Sequence, residues 1–223
     1  MCGKFAAQAS WAETTRIIEN LTGTALGGGS ASIGNDREVT YRVMSQLPVI
    51  LWDRDLRVRR IQLMRWGFPH RDDPRRPDPI HARAETIDVK PTFRDAFHDG
   101  QRGIVLVKSF NEAADKGPQN VILPGETPAL GLAMLWRNFA ELPACVMVTV
   151  PANALIASLP TDRMPAVLAP EDWAIWLGEE DATPERVKAC LKTVEGERWT
   201  MTPEQRAARP RRRPTVSDPG GLF

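Results

Sequence analysis

The residues best suited to chemistry stand at the start of the chain, where Cys2 follows Met1. If Met1 is removed, Cys2 carries a free α-amine and a thiol on adjacent carbons. The amine titrates at about pH 7.7–8.0, so a useful fraction is neutral and nucleophilic at physiological pH; the thiol reacts through its thiolate. One residue could therefore attack an aldehyde twice, forming first an imine and then a thiazolidine ring. A frayed terminus without function is the alternative, because most chain ends are poorly ordered.

Other residue types that often build active centres lack the spacing that such centres need. Three cysteines with no CxxC pair do not make a disulfide framework. His70, His81 and His98 do not stand at metal-ligand spacing. The sequence therefore predicts no metal and no cofactor. Cys145 and Cys190 fall on a predicted strand and a predicted helix, where we expect buried packing thiols rather than nucleophiles.

The charge of the chain is nearly balanced, at +1 over 223 residues. This excludes a strongly basic protein that binds nucleic acid through its overall field. Of the 29 basic residues 23 are arginine, which favours bidentate phosphate contacts, although a GC-rich genome gives the same bias. The chain start has no apolar signal-peptide core, and no apolar run reaches the length of a membrane span. We therefore expect a cytoplasmic protein.

Helix and strand patterns predict a single α+β domain over residues 1–205. A capping box at Ser10-Trp11-Ala12-Glu13 predicts a helix that ends at about Leu21. Strands are predicted at residues 40–43, 48–52, 58–64, 104–107, 120–123, 130–135 and 146–150. Short helices are predicted at residues 91–98, 152–159 and 171–177, and after Thr183 as an N-cap. No regular βαβ alternation is present, so the strands are expected to curl into one or two sheets. Residues 206–223 predict an Arg/Pro-rich flexible tail.

A basic cluster accompanies the predicted hairpin at residues 48–64, whose turn is placed at Asp53-Arg54-Asp55. Two explanations stay open, a solvated edge strand protected by charge and a face that follows a phosphate backbone. The cluster consists of Arg57, Arg59, Arg60 and Arg65, followed by Arg71, Arg75 and Arg76.

An ordered set of short segments resembles the SOS response-associated peptidase family, whose members are also called abasic-site processing proteins. The resemblance covers roughly residues 1–180 and implies an α+β fold with a curled, barrel-like, mainly antiparallel sheet and short peripheral helices. It also implies an N-terminal cysteine in a pocket on a single-stranded DNA groove. The matching segments are Met1-Cys2-Gly3-Lys4-Phe5, Arg65-Trp66-Gly67-Phe68-Pro69, Ala82-Arg83-Ala84-Glu85-Thr86, Lys90-Pro91, Phe93-Arg94-Asp95-Ala96-Phe97, Val148-Thr149, Ala152-Asn153, Asp162-Arg163-Met164-Pro165 and Val167-Leu168.

Four positions carry the catalytic expectations that this resemblance implies. Cys2 matches the nucleophile, and Glu112 matches a catalytic glutamate. His81 stands where the family has an asparagine that holds the α-amine. Thr161 stands where the family has a histidine credited with proton transfer. His81 could serve both as amine-holder and as acid/base, or it could be a hydrogen-bonding replacement in a site no longer under catalytic demand.

Four further positions carry the DNA-binding expectations. Lys4 replaces a family arginine, keeping the charge but losing the bidentate fork. Arg83 and Arg163 match arginines that the family directs toward DNA. Trp66 could stack on a base, which is worth about 1–3 kcal/mol, or fill the core.

The first functional hypothesis is a divergent abasic-site processing protein that binds single-stranded DNA and forms a thiazolidine cross-link through Cys2. It includes self-processing peptidase activity as a possibility, and it implies association with the nucleoid when the protein is bound to DNA. The alternatives are a catalytically silent module that binds single-stranded DNA or a partner, and a site that only removes Met1. We expect a monomer with no membrane partner. The terminal Leu222-Phe223 resembles the end of motifs that dock in the bacterial sliding clamp, but two residues are too few to predict that partner.

Overall fold

The computed structural model describes residues 2–7, 11–22, 39–70, 78–113, 117–139 and 142–204. Its helices are short and lie around the sheets: α1 Trp11–Thr22, α2 Pro91–His98, α3 Ala154–Ala157, α4 Trp173–Leu177 and α5 Pro184–Lys188, with 3-10 turns at Ala84–Thr86 and Pro170–Asp172. The strands are β1 Lys4–Ala7, β2 Val39–Arg42, β3 Gln46–Asp53, β4 Val58–Trp66, β5 His81–Arg83, β6 Arg102–Val107, β7 Ser109–Ala113, β8 Gln119–Leu123, β9 Leu130–Asn138, β10 Pro143–Pro151, β11 Arg163–Pro165, β12 Val167–Leu168 and β13 Thr200–Pro203.

The strands form two sheets with mainly antiparallel pairing. The smaller sheet has the order β13-β8-β7-β1-β2, and the larger one the order β11-β10-β4-β3-β6-β9-β12. Strand β10 also pairs with β9, which bends the larger sheet into a ring-like arrangement, and β5 is added in parallel beside β10. This architecture confirms the predicted α+β domain with a curled sheet core and short peripheral helices.

The β3–β4 hairpin is the longest pairing of the larger sheet. Its register runs from Gln46 opposite Arg65 to Asp53 opposite Val58. The Asp53 carboxylate accepts hydrogen bonds from the backbone N–H groups of Asp55 and Leu56, as aspartate commonly does at the start of a turn. The turn predicted at Asp53-Arg54-Asp55 is therefore confirmed.

The core between the sheets and helices is built around large aromatic side chains. Trp173 and Trp176 of α4 are buried, as their spacing predicted. The Trp176 indole N–H donates to the Gly103 carbonyl at 2.9 Å, so this buried ring leaves no unpaired donor. A Cβ on Gly131 would stand 2.5 Å from the Trp173 ring, so only glycine allows β9 to approach α4 this closely.

Some predicted helices have the expected ends, and others are shorter than predicted. Helix α2 has the predicted bounds, and Thr183 caps α5 by accepting from the Arg186 N–H. Helix α3 is shorter than predicted, because Asn153 acts as its N-cap and accepts from the Ile156 N–H. The Ser10 cap and the 206–223 tail lie outside the described residues. In the described part of the chain, no helix combines the length and apolar character needed to cross a membrane.

Candidate functional site

The first element of the site is the pairing of β1 with β7. Phe5 lies opposite Phe110 and Ala6 opposite Ser109 in an antiparallel register. If this register is continued toward the start of the chain, Gly3 falls opposite Glu112. Cys2 therefore lies close to this carboxylate. Strand β8 covers the other edge of β7, with Asn120 opposite Glu112. Glu112 is thus held on a central strand.

The carboxyl group of Glu112 is fully buried, with 0% exposure. Burial raises the pKa of Glu112, because a carboxylate loses its hydration there. Backbone hydrogen bonds at Cys2 and Ala113 act in the opposite direction on the same pKa. A raised pKa brings this carboxyl closer to the range in which it can both accept and return a proton near neutral pH.

The Cys2 thiol is also buried, with 1% of the residue exposed. Its Sγ donates to the Lys4 carbonyl at 3.4 Å. Burial, followed by the negative charge of Glu112, raises the pKa of the Cys2 thiol to about 12. In this arrangement the sulfur is a neutral thiol at physiological pH, so its attack on a substrate requires proton removal. Cys2 still follows Met1 in this chain, so its nitrogen is a peptide N–H.

His81 contacts Cys2 from the larger sheet. Strand β5 pairs in parallel with β10, placing His81 opposite Met147. The imidazole Nε2 lies 2.7 Å from the Cys2 carbonyl oxygen. Because a carbonyl can only accept, Nε2 must carry the proton and donate it. Burial lowers the pKa of His81 and favours the neutral ring, which leaves Nδ1 as an acceptor.

Trp66 lies beneath this contact, with 0% exposure. Its indole N–H donates to the Ile80 carbonyl at 3.1 Å. The ring packs 5.2 Å from Phe5 and edge-on to His81, with 6.4 Å between the ring centroids. Of the two roles considered for Trp66, the structure places the ring in the core, where it supports both Cys2's strand and His81.

Arg163 is buried and engaged by protein groups. Its guanidinium makes a bidentate contact with Glu85, at 2.5 and 2.9 Å, and its Nη2 also donates to the Thr149 carbonyl at 2.6 Å. The Thr161 hydroxyl donates to the Arg163 carbonyl at 3.3 Å. Among the contacts of the described residues, none joins Thr161 to Cys2. Thr161 and Arg163 therefore form a unit beside β10, apart from the Cys2–Glu112–His81 cluster.

The two remaining DNA-binding candidates differ in their surroundings. The Lys4 ammonium forms an ion pair with Glu204, the residue that follows β13. Arg83 is exposed, on the β5 position opposite Thr149. Sequence reasoning missed both acidic partners, Glu85 and Glu204. Glu85 stands only two positions after Arg83, but its pairing with Arg163 depends on the β5–β10–β11 arrangement.

The basic cluster of the hairpin is largely paired within the protein. Arg59 pairs with Glu179 at 2.5 Å, Arg60 with Asp53 at 3.1 Å and Arg65 with Asp78 at 2.5 Å. These pairs count against a free phosphate-tracking face. The explanation as an edge strand is wrong, because β4 lies between β10 and β3, and β3 lies between β4 and β6. Arg71, Arg75 and Arg76 lie outside the described residues.

Cys145 and Cys190 are buried, as expected for packing thiols, and burial raises the pKa of both. Within the described residues, no group of three or more His, Cys, Asp or Glu side chains has the arrangement of a metal site. The chemistry available to the Cys2 cluster is thus that of a thiol, a carboxyl and an imidazole.

Comparison with known proteins decides the family. A family model described as SOS response associated peptidase (SRAP) matches residues 1–207. The chain belongs to this family. It is also similar to two Bacillus subtilis proteins named as abasic site processing proteins. YoqW is 26% identical over 170 residues, which are 71% of this chain and 75% of YoqW. YoaM is 27% identical over 164 residues, which are 68% of this chain and 71% of YoaM.

Solved structures show the same fold. A protein from Bacteroides thetaiotaomicron superposes with a TM-score of 0.72 at 18% identity, covering 92% of each chain. A phage-related protein from Bordetella bronchiseptica gives a TM-score of 0.70 at 20% identity, covering 92% of this chain and 95% of its own. At these identities the likeness supports the SRAP-like fold, and the residues of the site must be argued from their own geometry.

Proposed function

We propose that this SRAP protein processes abasic sites in single-stranded DNA by covalent capture through Cys2 after Met1 is removed. The observation that carries the proposal is the meeting of Cys2 with a buried carboxyl and a half-buried imidazole. Cys2 lies beside Glu112, and its carbonyl accepts from His81 at 2.7 Å. The names of the relatives YoqW and YoaM, abasic site processing proteins, support the substrate.

Removal of Met1 is the first requirement. Hydrolysis of the Met1–Cys2 peptide bond consumes one water and frees the α-amine of Cys2. The neutral amine then attacks the aldehyde carbon of the ring-opened abasic sugar. Loss of one water from this adduct leaves an imine. The thiol sulfur adds to the imine carbon, its proton passes to the nitrogen, and the thiazolidine ring is closed without oxidation or reduction.

Glu112 is the group that we assign to proton transfer in these steps. It lies within reach of the Cys2 backbone and its pKa is raised by burial. It can accept the ammonium proton before amine attack and donate a proton to the departing hydroxyl. Positioned acid–base assistance of this kind is typically worth about 10²–10⁴-fold in rate.

His81 is assigned a positioning role with an acid–base capacity. Its Nε2–H holds the Cys2 carbonyl, which fixes the rotation of the residue that carries both nucleophiles. Its Nδ1 remains able to accept a proton, because burial lowers the pKa of the ring and keeps it neutral. Thr161 occupies the position of the family histidine and has no imidazole to offer, so His81 is the nearest source of one.

The DNA-facing role is assigned first to Arg83, which is exposed on β5 next to His81. Lys4 and Arg163 can join it only by exchanging the carboxylates of Glu204 and Glu85 for phosphate. The charge available to single-stranded DNA is therefore smaller than the number of basic residues suggests.

The direct test uses protein whose loss of Met1 has been verified by intact mass. It is incubated with a single-stranded oligonucleotide that carries one abasic site and is then run on a denaturing gel. We expect a heat-stable shifted band for the wild-type protein and for Cys190→Ala, a matched cysteine control. Cys2→Ala is expected to give no such band. No band with the trimmed wild type, or a band that survives Cys2→Ala, would refute covalent capture through Cys2.

A second candidate function is a catalytically silent module of the same fold. It is favoured by Thr161, which stands where the family has a histidine. The Thr161 hydroxyl donates to the Arg163 carbonyl, and no imidazole is present at that position. This candidate predicts salt-sensitive binding of single-stranded DNA with no adduct in the same gel, and no effect of Glu112→Gln on that binding.

A further inference from the structure

A second cluster of cationic groups lies at the other end of the larger sheet from Cys2. The β3–β4 register runs from Gln46 opposite Arg65 to Asp53 opposite Val58, so its turn lies roughly 25 Å along the hairpin from the Trp66 end. Beside this turn is a cleft of about 130 Å³. Arg54 of the turn and Arg102 at the start of β6 both line it.

Arg102 is 8% exposed and holds two helix ends together. Its Nε donates to the Trp176 carbonyl at 2.5 Å and its Nη1 to the Phe97 carbonyl at 2.8 Å, in the last turns of α4 and α2. This structural role uses the Nε and Nη1 donors of the guanidinium. The remaining terminal nitrogen, Nη2, is turned into the cleft.

The two guanidiniums converge on one point above two glycines. Gly100 and Gly178 end α2 and α4 with φ of +73° and +82°, a conformation that favours glycine. A Cβ on Gly178 would stand 3.4 Å from Nη2 of Arg102 and 3.6 Å from Nη2 of Arg54. The absence of that Cβ leaves a small open position between two cations.

The two guanidiniums carry like charges, and Arg102 is held beside Arg54 by two carbonyls and by the rings of Phe97 and Trp176. Burial, and then the charge of Arg54, lowers the pKa of Arg102 to about 10, so Arg102 remains cationic at neutral pH. Among the described residues, no carboxylate lies within ion-pairing distance of either guanidinium. Arg59, Arg60, Arg65 and Arg163 each have such a partner, so the pair Arg54 and Arg102 differs from these four arginines.

We propose that the cleft between Arg54 and Arg102 is a binding site for a phosphate group. Two guanidiniums that converge from different directions match the oxygens of a phosphate. The cleft volume corresponds to a few water molecules, at about 30 Å³ each, or to one ion of five heavy atoms. The group can be free phosphate or a phosphate of a DNA backbone, and the experiment separates these sources. The proposal does not rest on the chemistry of Cys2.

Acidic residues limit the strength of this site. Glu180 and Asp181 also line the cleft, and both are exposed. Exposed carboxylates are screened by water and salt, so they weaken the attraction for phosphate without cancelling it. Removing their charge with Glu180→Gln and Asp181→Asn should therefore tighten phosphate binding, the reverse of what removing an arginine does.

The test is calorimetric titration of the full chain with inorganic phosphate at constant ionic strength. We expect saturable binding in about the millimolar range. Arg54→Gln should weaken it about fivefold or more, as loss of a charge-assisted hydrogen bond does. Arg57→Gln is the matched control, because Arg57 is exposed on the same turn but does not line the cleft. Amide NMR signals of Gly100 and Gly178 should shift with phosphate in the wild type.

The source of the phosphate is read from a second titration, with a short single-stranded oligonucleotide that lacks an abasic site. If a DNA phosphate occupies the cleft, Arg54→Gln lowers the salt dependence of DNA binding by about one phosphate contact. If free phosphate is the ligand, Arg54→Gln and the wild type bind DNA equally while differing toward phosphate. The proposal is overturned if phosphate binding is not saturable, if the glycine signals do not shift, or if Arg54→Gln and Arg57→Gln behave alike.

Discussion

The Cys2–Glu112–His81 cluster and the basic residues expected to bind DNA differ in how their charges are treated. In the cluster, Cys2 and Glu112 are buried and His81 is half-buried. Burial shifts the pKa of each group in the direction that favours its neutral form. Outside the cluster, Lys4 and Arg163 are each paired with a carboxylate. The proton transfer that we propose uses the cluster, whereas Lys4 and Arg163 already have carboxylate partners in the place of phosphate.

This difference separates two properties that abasic-site capture needs together, which are the chemistry of the adduct and the affinity for the strand. A neutral thiol beside a carboxyl of raised pKa can react once a substrate aldehyde is in place. Paired cations contribute to DNA binding only the difference in free energy between an ion pair with phosphate and one with carboxylate. This difference is small for partly exposed pairs. We therefore expect substitutions in the cluster to change the rate of adduct formation strongly. Substitutions of the paired cations should instead change the stability of the protein or its affinity for DNA.

The largest effect is expected from Glu112→Gln. Glutamine keeps the shape of the side chain but cannot accept a proton, so the rate of adduct formation should fall by about 10²-fold or more. The measurement is the time course of the cross-linked band at saturating abasic oligonucleotide. Glu126→Gln, at an exposed residue paired with Arg198, serves as the control. Equal rates for Glu112→Gln and the wild type would remove Glu112 from the proton-transfer steps.

A second comparison sets a buried arginine against an exposed one. Arg163→Met removes the bidentate partner of Glu85 and leaves the Thr149 carbonyl without its donor. We expect a loss of about 2–3 kcal/mol in the free energy of unfolding, less than for a fully buried pair because 48% of the Glu85 side chain is exposed. Arg83→Met should change stability by less than about 0.5 kcal/mol and weaken single-strand binding instead.

Urea unfolding and fluorescence anisotropy with a single-stranded oligonucleotide measure the two quantities. The opposite pattern, with Arg163→Met as stable as the wild type but weaker in DNA binding, would show that Arg163 exchanges Glu85 for phosphate when DNA binds.

The parts of the fold that local sequence determines were predicted well. Pro91 in the first turn of α2 and Thr183 as the cap of α5 act through neighbouring backbone groups, and both predictions are confirmed. The short strands β1, β5 and β7 were not predicted as strands, although β5 carries His81, β7 carries Glu112 and β1 begins two residues after Cys2. Strands of three to five residues owe their conformation to pairing with distant segments rather than to their own periodicity.

The same reason explains why the partners of the site cations could not be found. Lys4 and Glu204 are 200 residues apart in the chain, and Arg163 and Glu85 are 78 apart. Family resemblance marked the basic residues of these pairs, but nothing local to either residue indicates the carboxylate that it meets. Two roles were left open for His81, an amine-holder with acid/base function and a hydrogen-bonding replacement; the contact that the structure gives is with the Cys2 carbonyl.

A smaller effect is expected from Glu204→Gln, which frees the ammonium of Lys4 two positions from Cys2. Affinity for single-stranded DNA should rise about two- to threefold at low salt, the size of a partly exposed ion pair, and the gain should shrink as salt increases. Anisotropy titrations at two salt concentrations measure it. Glu197→Gln, at an exposed residue, makes the same change of charge; an equal gain in that variant would mean that net charge, rather than release of Lys4, is responsible.

The smallest effect concerns the pH dependence of stability through His81. Burial lowers the pKa of His81 in the folded state, so the unfolded chain binds more protons just below the ordinary histidine pKa of about 6.5. The stability contributed by neutral His81 is therefore present above pH 6.5 and is lost as the pH falls through the folded-state pKa. Glu112 acts with the opposite sign, because its folded-state pKa is raised and its contribution is lost as the pH rises.

His81→Gln isolates the histidine component, since glutamine can still donate to the Cys2 carbonyl but does not titrate. The free energies of unfolding of the wild type and of His81→Gln are measured by urea titration from pH 7.5 down to about pH 5. The difference between them should be constant at higher pH and change only below about pH 6.5. His98→Gln is the matched variant, because His98 also donates to a backbone carbonyl, that of Asp88, but from an exposed position. A difference between His81→Gln and the wild type that is constant over this range would mean that the pKa of His81 is the same in the folded and unfolded states, which would contradict the lowering of that pKa by burial.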